Sequence, residues 1–383
     1  MKRLVTIVLF LLVQQAFGQI PKIAVFAPVY LDSAFNGEQY KLGNSYLPKQ
    51  LLPGLDFYNG MIAAIDSLNA EKTQVEVLFY DTKSVTKPIN TTISNNELQG
   101  VQLIIAVFNT RNEVKPLADY AKQLGIPLIS ATYPNDGGVS DNPYFYMINS
   151  TLNTHVEAMH RFLQRFYPLH NTVYVTRKGG SEDLIKQTFT ELNKNTPASP
   201  LKMKMVELVD SFQTPDILPL LDSTKENLII CGSLNESFGL KLVRTVSPYK
   251  QYKTSITGMP TWETLRELNK EDCRDVELIY STPFNLPRSG KFYQYLNEQY
   301  KRRYNGRPSD MYFRGFENTY HFTKLLLYHG SQLKQNLSDK SFSFFHEYDF
   351  KPNMNQRSNT VDYFENKKVY FVRKLNGAIK SVN

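Results

Sequence analysis

The sequence of 383 residues has only two cysteines, one tryptophan and six dispersed histidines. Past its N-terminus it has no apolar run approaching the ~18 residues a membrane span needs. Each scarcity excludes something. Cys231 and Cys273 cannot build a zinc site alone. They leave two readings open, a bridge in an oxidising compartment or two buried thiols, and Cys231 lies within the strand-like "NLIICG". His155 and His160 of "HVEAMH" stand five residues apart, ~140° around a helix, whereas one metal needs two histidines four apart on one face. "RKGGSED" (177–183) follows a strand and opens a helix, but it lacks both the dinucleotide glycine pattern and the Lys-Ser/Thr ending of a phosphate loop. It reads as a tight turn with Ser181 as helix N-cap. There is no G-x-S-x-G elbow and no nucleophile–base pair. The sequence therefore predicts no enzyme, no cofactor and no metal. Its net charge of +8 is scattered, with "KRR" (301–303) the only dense run, and no nucleic-acid motif accompanies it.

What is present begins at the N-terminus. "MKRLVTIVLFLLVQQAFGQ" has a basic start, an apolar stretch from Leu4 to Val13, and small residues at Ala16 and Gly18. This is the pattern of a secretory signal over residues 1–18, cut after Gly18, and it predicts a periplasmic or secreted mature chain without a membrane span. No cysteine lies near the cut to carry a lipid anchor.

Strands and helices then alternate. "KIAVFAP" from Lys22 is a short apolar strand, followed by a polar loop over 30–53 and a helix over 55–69 with a stripe at Phe57, Tyr58, Met61, Ile62, Ile65 and Leu68. A strand follows, with Val75, Val77 and Phe79 on one face and Glu76, Leu78 and Tyr80 on the other, ending at Asp81. A weak helix over 87–99, the strand "VQLIIAVF" (101–108), a helix capped by Asn112 and ended by Gly125, and the strand "IPLIS" (126–130) complete the series. After "YFYMINST" the alternation restarts and runs to about 284, two longer helices follow at 289–304 and 309–328, and short strands close the chain. Strand–helix alternation without hairpin signals predicts α/β lobes built on parallel, doubly wound sheets. In such sheets ligands bind beyond the carboxyl ends of the strands, where strand order reverses. Those ends are "APVYLD", "YDTKS", "VFNTR" and "SATYPND", polar and rich in hydroxyls and aromatic rings.

The order of these segments, with the later "TGMPTWETL", "STPF" and "FYQYLNEQYKRRYNGRPSDMYFRGFENTYHFTKLLL", resembles the type I periplasmic binding proteins, the leucine/isoleucine/valine-binding family. The resemblance spans about 20–380. The insertion at 30–53 and "FYNGMIAAIDSL" are similar to a branch from Bacteroidetes-type bacteria. The resemblance implies two Rossmann-like lobes joined by three crossings, 20–148 with 285–335 and 149–284 with 336–383, and a ligand held in the cleft between them. It implies that Asn109, Thr110, Arg111, Ser130, Ala131, Thr132 and Tyr133 bind the ligand, and Tyr30 and Asp32 of the strand end "APVYLD" and Trp262 complete the expected ligand set. It also implies a small polar ligand passed to a membrane permease or sensor. A non-catalytic interaction module or cell-envelope regulator on the same fold is the alternative. Where relatives carry a serine-rich loop this chain has "VFNTR", and Met259 and Pro260 fall near their acidic residue for an ammonium group. A free amino acid is therefore expected to fit poorly.

Overall fold

The computed structural model describes residues 20–43, 47–196, 200–284, 286–376 and 378–382. The signal segment expected at 1–18 lies outside them. The described residues form two compact units, one from 20–148 with 286–365 and one from 149–284 with 366–382, so the chain passes between them three times.

In chain order, the first segment carries β1 (Lys22–Ala27), α1 (Leu31–Ala34), β2 (Phe35–Asn36), β3 (Gln39–Tyr40), α2 (Leu52–Ala70), β4 (Glu76–Asp81), α3 (Ile89–Ser94), β5 (Leu103–Ala106), α4 (Arg111–Leu124), β6 (Leu128–Ser130) and β7 (Phe145–Met147). The second carries α5 (Leu152–Phe166), β8 (Asn171–Thr176), α6 (Gly180–Asn195), β9 (Met203–Glu207), α7 (Thr214–Ile217), β10 (Asn227–Cys231), α8 (Glu236–Val246), β11 (Thr254–Thr257) and β12 (Glu277–Thr282). Then come α9 (Lys291–Tyr304), α10 (Asp310–His329), β13 (Phe350–Met354) and β14 (Val361–Asn366), and finally β15 (Tyr370–Leu375) and β16 (Ala378–Val382).

The sheet of the first unit runs β13-β14-β7-β6-β5-β1-β4, and that of the second β16-β15-β12-β11-β10-β8-β9. From β14 to β4 and from β12 to β9 the neighbours are parallel, while β15 and β16 add antiparallel at the second sheet's edge. The winding reverses between β1 and β5 in one sheet and between β8 and β10 in the other. Both sheets are doubly wound.

The central strands are apolar because helices cover both their faces. In β10, Ile229 and Cys231 join one core cluster while Leu228 and Ile230 join the other. β4 shows the same logic at an edge. Tyr80 stacks on Phe26 at 4.8 Å between ring centres, and Phe79 meets Tyr58 of α2 edge-on on the opposite face. The helical stripe expected on α2 is narrower than the apolar spacing suggests: Phe57, Met61 and Leu68 are buried, while Tyr58, Ile62 and Ile65 are half-buried. Glycines do the rest. A Cβ on Gly60 would stand 2.0 Å from the Tyr312 carbonyl oxygen, and one on Gly315 2.1 Å from that of Phe57, so α2 and α10 touch backbone to backbone.

Two local expectations are corrected. Thr110, not Asn112, is the N-cap of α4, because Glu113 completes a reciprocal capping box with it. Gly179, not Ser181, caps α6, since the Glu182 carboxylate fills the space a Cβ at 179 would need. Segment 336–365, expected in the second lobe, belongs to the first unit. Glu317 of α10 is fully buried and accepts hydrogen bonds from the amides of Phe344 (3.0 Å), Phe345 (2.6 Å) and His346 (2.9 Å), and β14 pairs with β7. Both cysteines are free and buried, and loss of solvent pushes the Cys231 thiol up to about 12. His155 bonds Ser281 at 2.8 Å and His160 meets Asn193 at 3.4 Å. No helix among the described residues is long and apolar enough to cross a membrane.

Candidate functional site

Asp81 ends β4 because the loop after the neighbouring strand needs an anion there. Beyond β1, Tyr30 adopts a left-handed conformation (φ 56°, ψ 40°), which costs a non-glycine residue ~1–2 kcal/mol. That turn aims the amides of Val29 and Leu31 at one point. Asp81 fills it, accepting from Val29 N at 3.0 Å and Leu31 N at 2.7 Å, and from Lys83 N at 2.9 Å. Three charge-assisted bonds stabilise the strained turn.

Two further carboxylates build the same edge. Asp32 accepts from the amides of Val85 (2.7 Å) and Thr86 (2.9 Å) and from the hydroxyls of Ser84 and Thr86 (both 3.0 Å). The Thr86 amide above all holds its carboxyl below the usual carboxylate range; desolvation opposes it, and the two hydroxyls and the Val85 amide add to the lowering. Glu113 accepts from the amides of Asn109 (2.8 Å) and Thr110 (3.2 Å) and pairs with Lys83. The loops after β1, β4 and β5 are thus tied together by acids.

The expected ligand residues sort into three groups. Tyr30, Asn109, Thr110, Arg111, Ser130, Ala131, Thr132 and Tyr133 lie at the carboxyl ends of the adjacent strands β1, β5 and β6. The Asn109 amide donates to the Tyr30 hydroxyl at 3.4 Å. Arg111 is exposed, lies against the Gly138 backbone, and forms no ion pair among the described residues. Ser130 is wholly buried with its hydroxyl unpartnered, as is the hydroxyl of buried Thr82. Ala131 is wholly buried and offers no surface, and Thr132 and Tyr133 are half-buried. Asp32 and Thr110 stand at the edge but act on the protein itself, one holding the 84–86 loop and the other capping α4.

Trp262 is a correction. It belongs to the second unit, is fully buried in that unit's core, and fits there because Gly239 and Gly258 leave its ring the room. Met259 is also buried. At the strand ends of the second unit, Arg177 grips Asp210 through two bonds of 2.6 and 2.9 Å, and Glu182 accepts the Ser233 hydroxyl at 2.7 Å.

Sequence reasoning left Glu113, Lys83 and Thr82 out of the site and named Asp81 only as a strand end. The signal for Glu113 was legible as Thr110-x-x-Glu113 before an apolar run. The acceptor roles of Asp81 and Asp32 had none, because their partners lie about fifty residues away in sequence.

No family model and no curated protein sequence matches the chain. Solved structures do. A putative branched-chain amino acid ABC transporter protein from Rhodospirillum rubrum aligns with a TM-score of 0.67 at 11% identity, over 95% of this chain and 100% of that one. An ABC transporter substrate-binding protein of Desulfitobacterium hafniense in complex with Leu aligns with a TM-score of 0.56 at 13% identity, over 95% and 100%. The branched-chain amino acid transporter substrate-binding protein of Streptococcus pneumoniae in complex with isoleucine gives 0.51 at 15% identity, over 95% and 99%. The chain has the type I periplasmic binding protein fold.

Proposed function

We propose that the protein is an exported, non-catalytic solute-binding protein. Its first unit takes a small, polar, acceptor-rich solute at the carboxyl edge of β1, β5 and β6 and supplies it to a membrane permease or a sensor. One observation carries the reading. The acids that organise this edge already accept hydrogen bonds from the protein's own loops, while among the described residues the Arg111 guanidinium has no ionic partner and the Ser130 and Thr82 hydroxyls have no hydrogen-bond partner. The edge therefore offers donors beside Asp32, Asp81 and Glu113, acids that are already engaged. Carboxylates, sugars and other acceptor-rich solutes suit it. The ammonium group of a free amino acid would find Asp32, Asp81 and Glu113 already engaged, and leaving water without an acid partner is costly. The two relatives above that hold leucine and isoleucine share the fold with this chain at 13% and 15% identity, too distant to carry their ligand across.

A thermal-shift panel of organic acids, sugars and amino acids tests this. A ligand at a hundredfold excess over its dissociation constant raises the unfolding free energy by ~2.7 kcal/mol. We expect a shift from an organic acid or sugar, abolished by Arg111→Ala. A large shift from leucine or isoleucine would overturn the acceptor-rich class while keeping solute binding. No shift from any compound would turn the reading to an interaction module on this fold.

A further inference from the structure

The helical face of the first unit holds a second concavity, built from none of the strand-edge residues. On α2, Asn59, Ala63, Ser67 and Ala70 fall three or four residues apart, so they line up along ~16 Å of one helix face. These small side chains form the floor of a groove of about 620 Å³, within the ~300–1,000 Å³ typical of ligand sites. One wall is α9, with Phe292, Tyr295 and Gln299, and the other is α10, with Phe316 and Tyr320, closed by Phe344.

The lining has a definite chemical character. Phe292 stacks on Phe344 with ring centres 4.2 Å apart, yet Phe344 stays 40% and Tyr295 56% exposed, so ring surface faces water. The charges around the groove are neutralised within the protein. Asp66 pairs with Arg303 at 2.9 Å, and Glu71 takes the Tyr320 hydroxyl at 2.5 Å and the Lys324 ammonium at 2.8 Å. Neutral polar groups remain on the wall: the Gln299 amide donates to the Tyr295 hydroxyl at 2.9 Å, and both lie on the exposed side of α9.

We propose that this groove is a binding site for a neutral, hydroxyl-rich ring compound, a short oligosaccharide. The axial C–H bonds of a pyranose make an apolar face that packs on aromatic rings such as Tyr295 and Phe344. Its equatorial hydroxyls both donate and accept, as the Gln299 amide and the tyrosine hydroxyls require. An ionic ligand would have to compete with ion pairs already formed. A wholly apolar chain would strip water from the tyrosine and amide groups without replacing their hydrogen bonds. The proposal is independent of the solute at the strand edge.

Calorimetric titration of the full chain with cellotriose and with tri-N-acetylchitotriose tests it, with glycerol as the hydroxyl-rich compound lacking a ring. At least one trisaccharide should bind with a dissociation constant below ~1 mM, and glycerol should not. Tyr295→Ala and Ala63→Met, the latter filling the floor, should each weaken binding at least tenfold, while Leu169→Ala, on the exposed surface of the second unit, leaves it unchanged. Tyr295 is exposed, so its variant remains informative where the floor variant fails to fold. Absence of binding by both trisaccharides would overturn the proposal, as would binding that Tyr295→Ala and Gln299→Ala leave within twofold. Binding lost with Arg111→Ala would overturn it too, by assigning the sugar to the strand edge.

Discussion

Replacing Glu317 by alanine should cost the protein far more than one exposed acid would. Its carboxylate is wholly buried, one oxygen accepts three consecutive amides of 344–346, and the other bonds the ring of buried His346. Burial opposes ionisation here, but His346 and the amides outweigh it and hold the carboxyl below its ordinary value. Removal leaves three amides and a ring nitrogen without this acceptor. A buried donor left unsatisfied costs ~1–3 kcal/mol, and breaking a buried pair ~3–5 kcal/mol in all. Because Phe344 is 40% exposed, part of the segment can turn to water, which places the expected loss near ~3–4 kcal/mol. Urea denaturation followed by circular dichroism measures it, and hydrogen exchange should show the 344–346 amides losing protection first. The charged carboxyl stabilises the fold above its unfolded value near ~4.3, and that contribution disappears as pH falls through the lower folded value. A loss under ~1 kcal/mol, or unchanged exchange at 344–346, would refute the view that Glu317 anchors this segment to the first unit.

Gly60→Ala should destabilise by at least ~3 kcal/mol, because its Cβ meets a backbone carbonyl that cannot rotate away, whereas Gly180→Ala, facing open space, should be neutral in the same urea titration. Asp81→Ala should loosen the turn at Tyr30 and lower the thermal-shift response of any strand-edge ligand, with a stability loss of ~1–3 kcal/mol; an unchanged ligand response would separate the turn from binding. Cys231 and Cys273, raised by burial to about 12 and about 11, should both stay unmodified by a thiol reagent at pH 8 and both react in denaturant, and a mass consistent with a disulfide would refute this. Since its carboxyl is depressed by the 84–86 loop, Asp32 should hold that loop above its ordinary pKa and release it as pH falls through its lower folded value, seen as smaller protection factors, relative to the intrinsic rate at each pH, for the Val85 and Thr86 amides.

The sequence by itself determined the α/β class, the alternation of elements and most of their positions. Strands such as Lys22–Ala27 and Asn227–Cys231 are legible because burial on both faces demands an unbroken apolar run, and helices such as Leu152–Phe166 because one buried face imposes its period. It also marked the strand ends as polar and so placed the candidate edge. Tertiary structure alone decided what the acids at that edge bind. Asp32 and Asp81 look alike in sequence to solvent-facing groups, but amides from distant loops converge on them. The same holds for Trp262, expected among the ligand residues until Gly239 and Gly258 are seen to make room for it in the core. The unit to which 336–365 belongs was likewise invisible, because a buried carboxylate on α10 and the pairing of β14 with β7 tie that segment to partners distant in sequence. Local patterns record each residue's own burial, whereas a hydrogen-bond partner many residues away leaves no periodic trace in the chain.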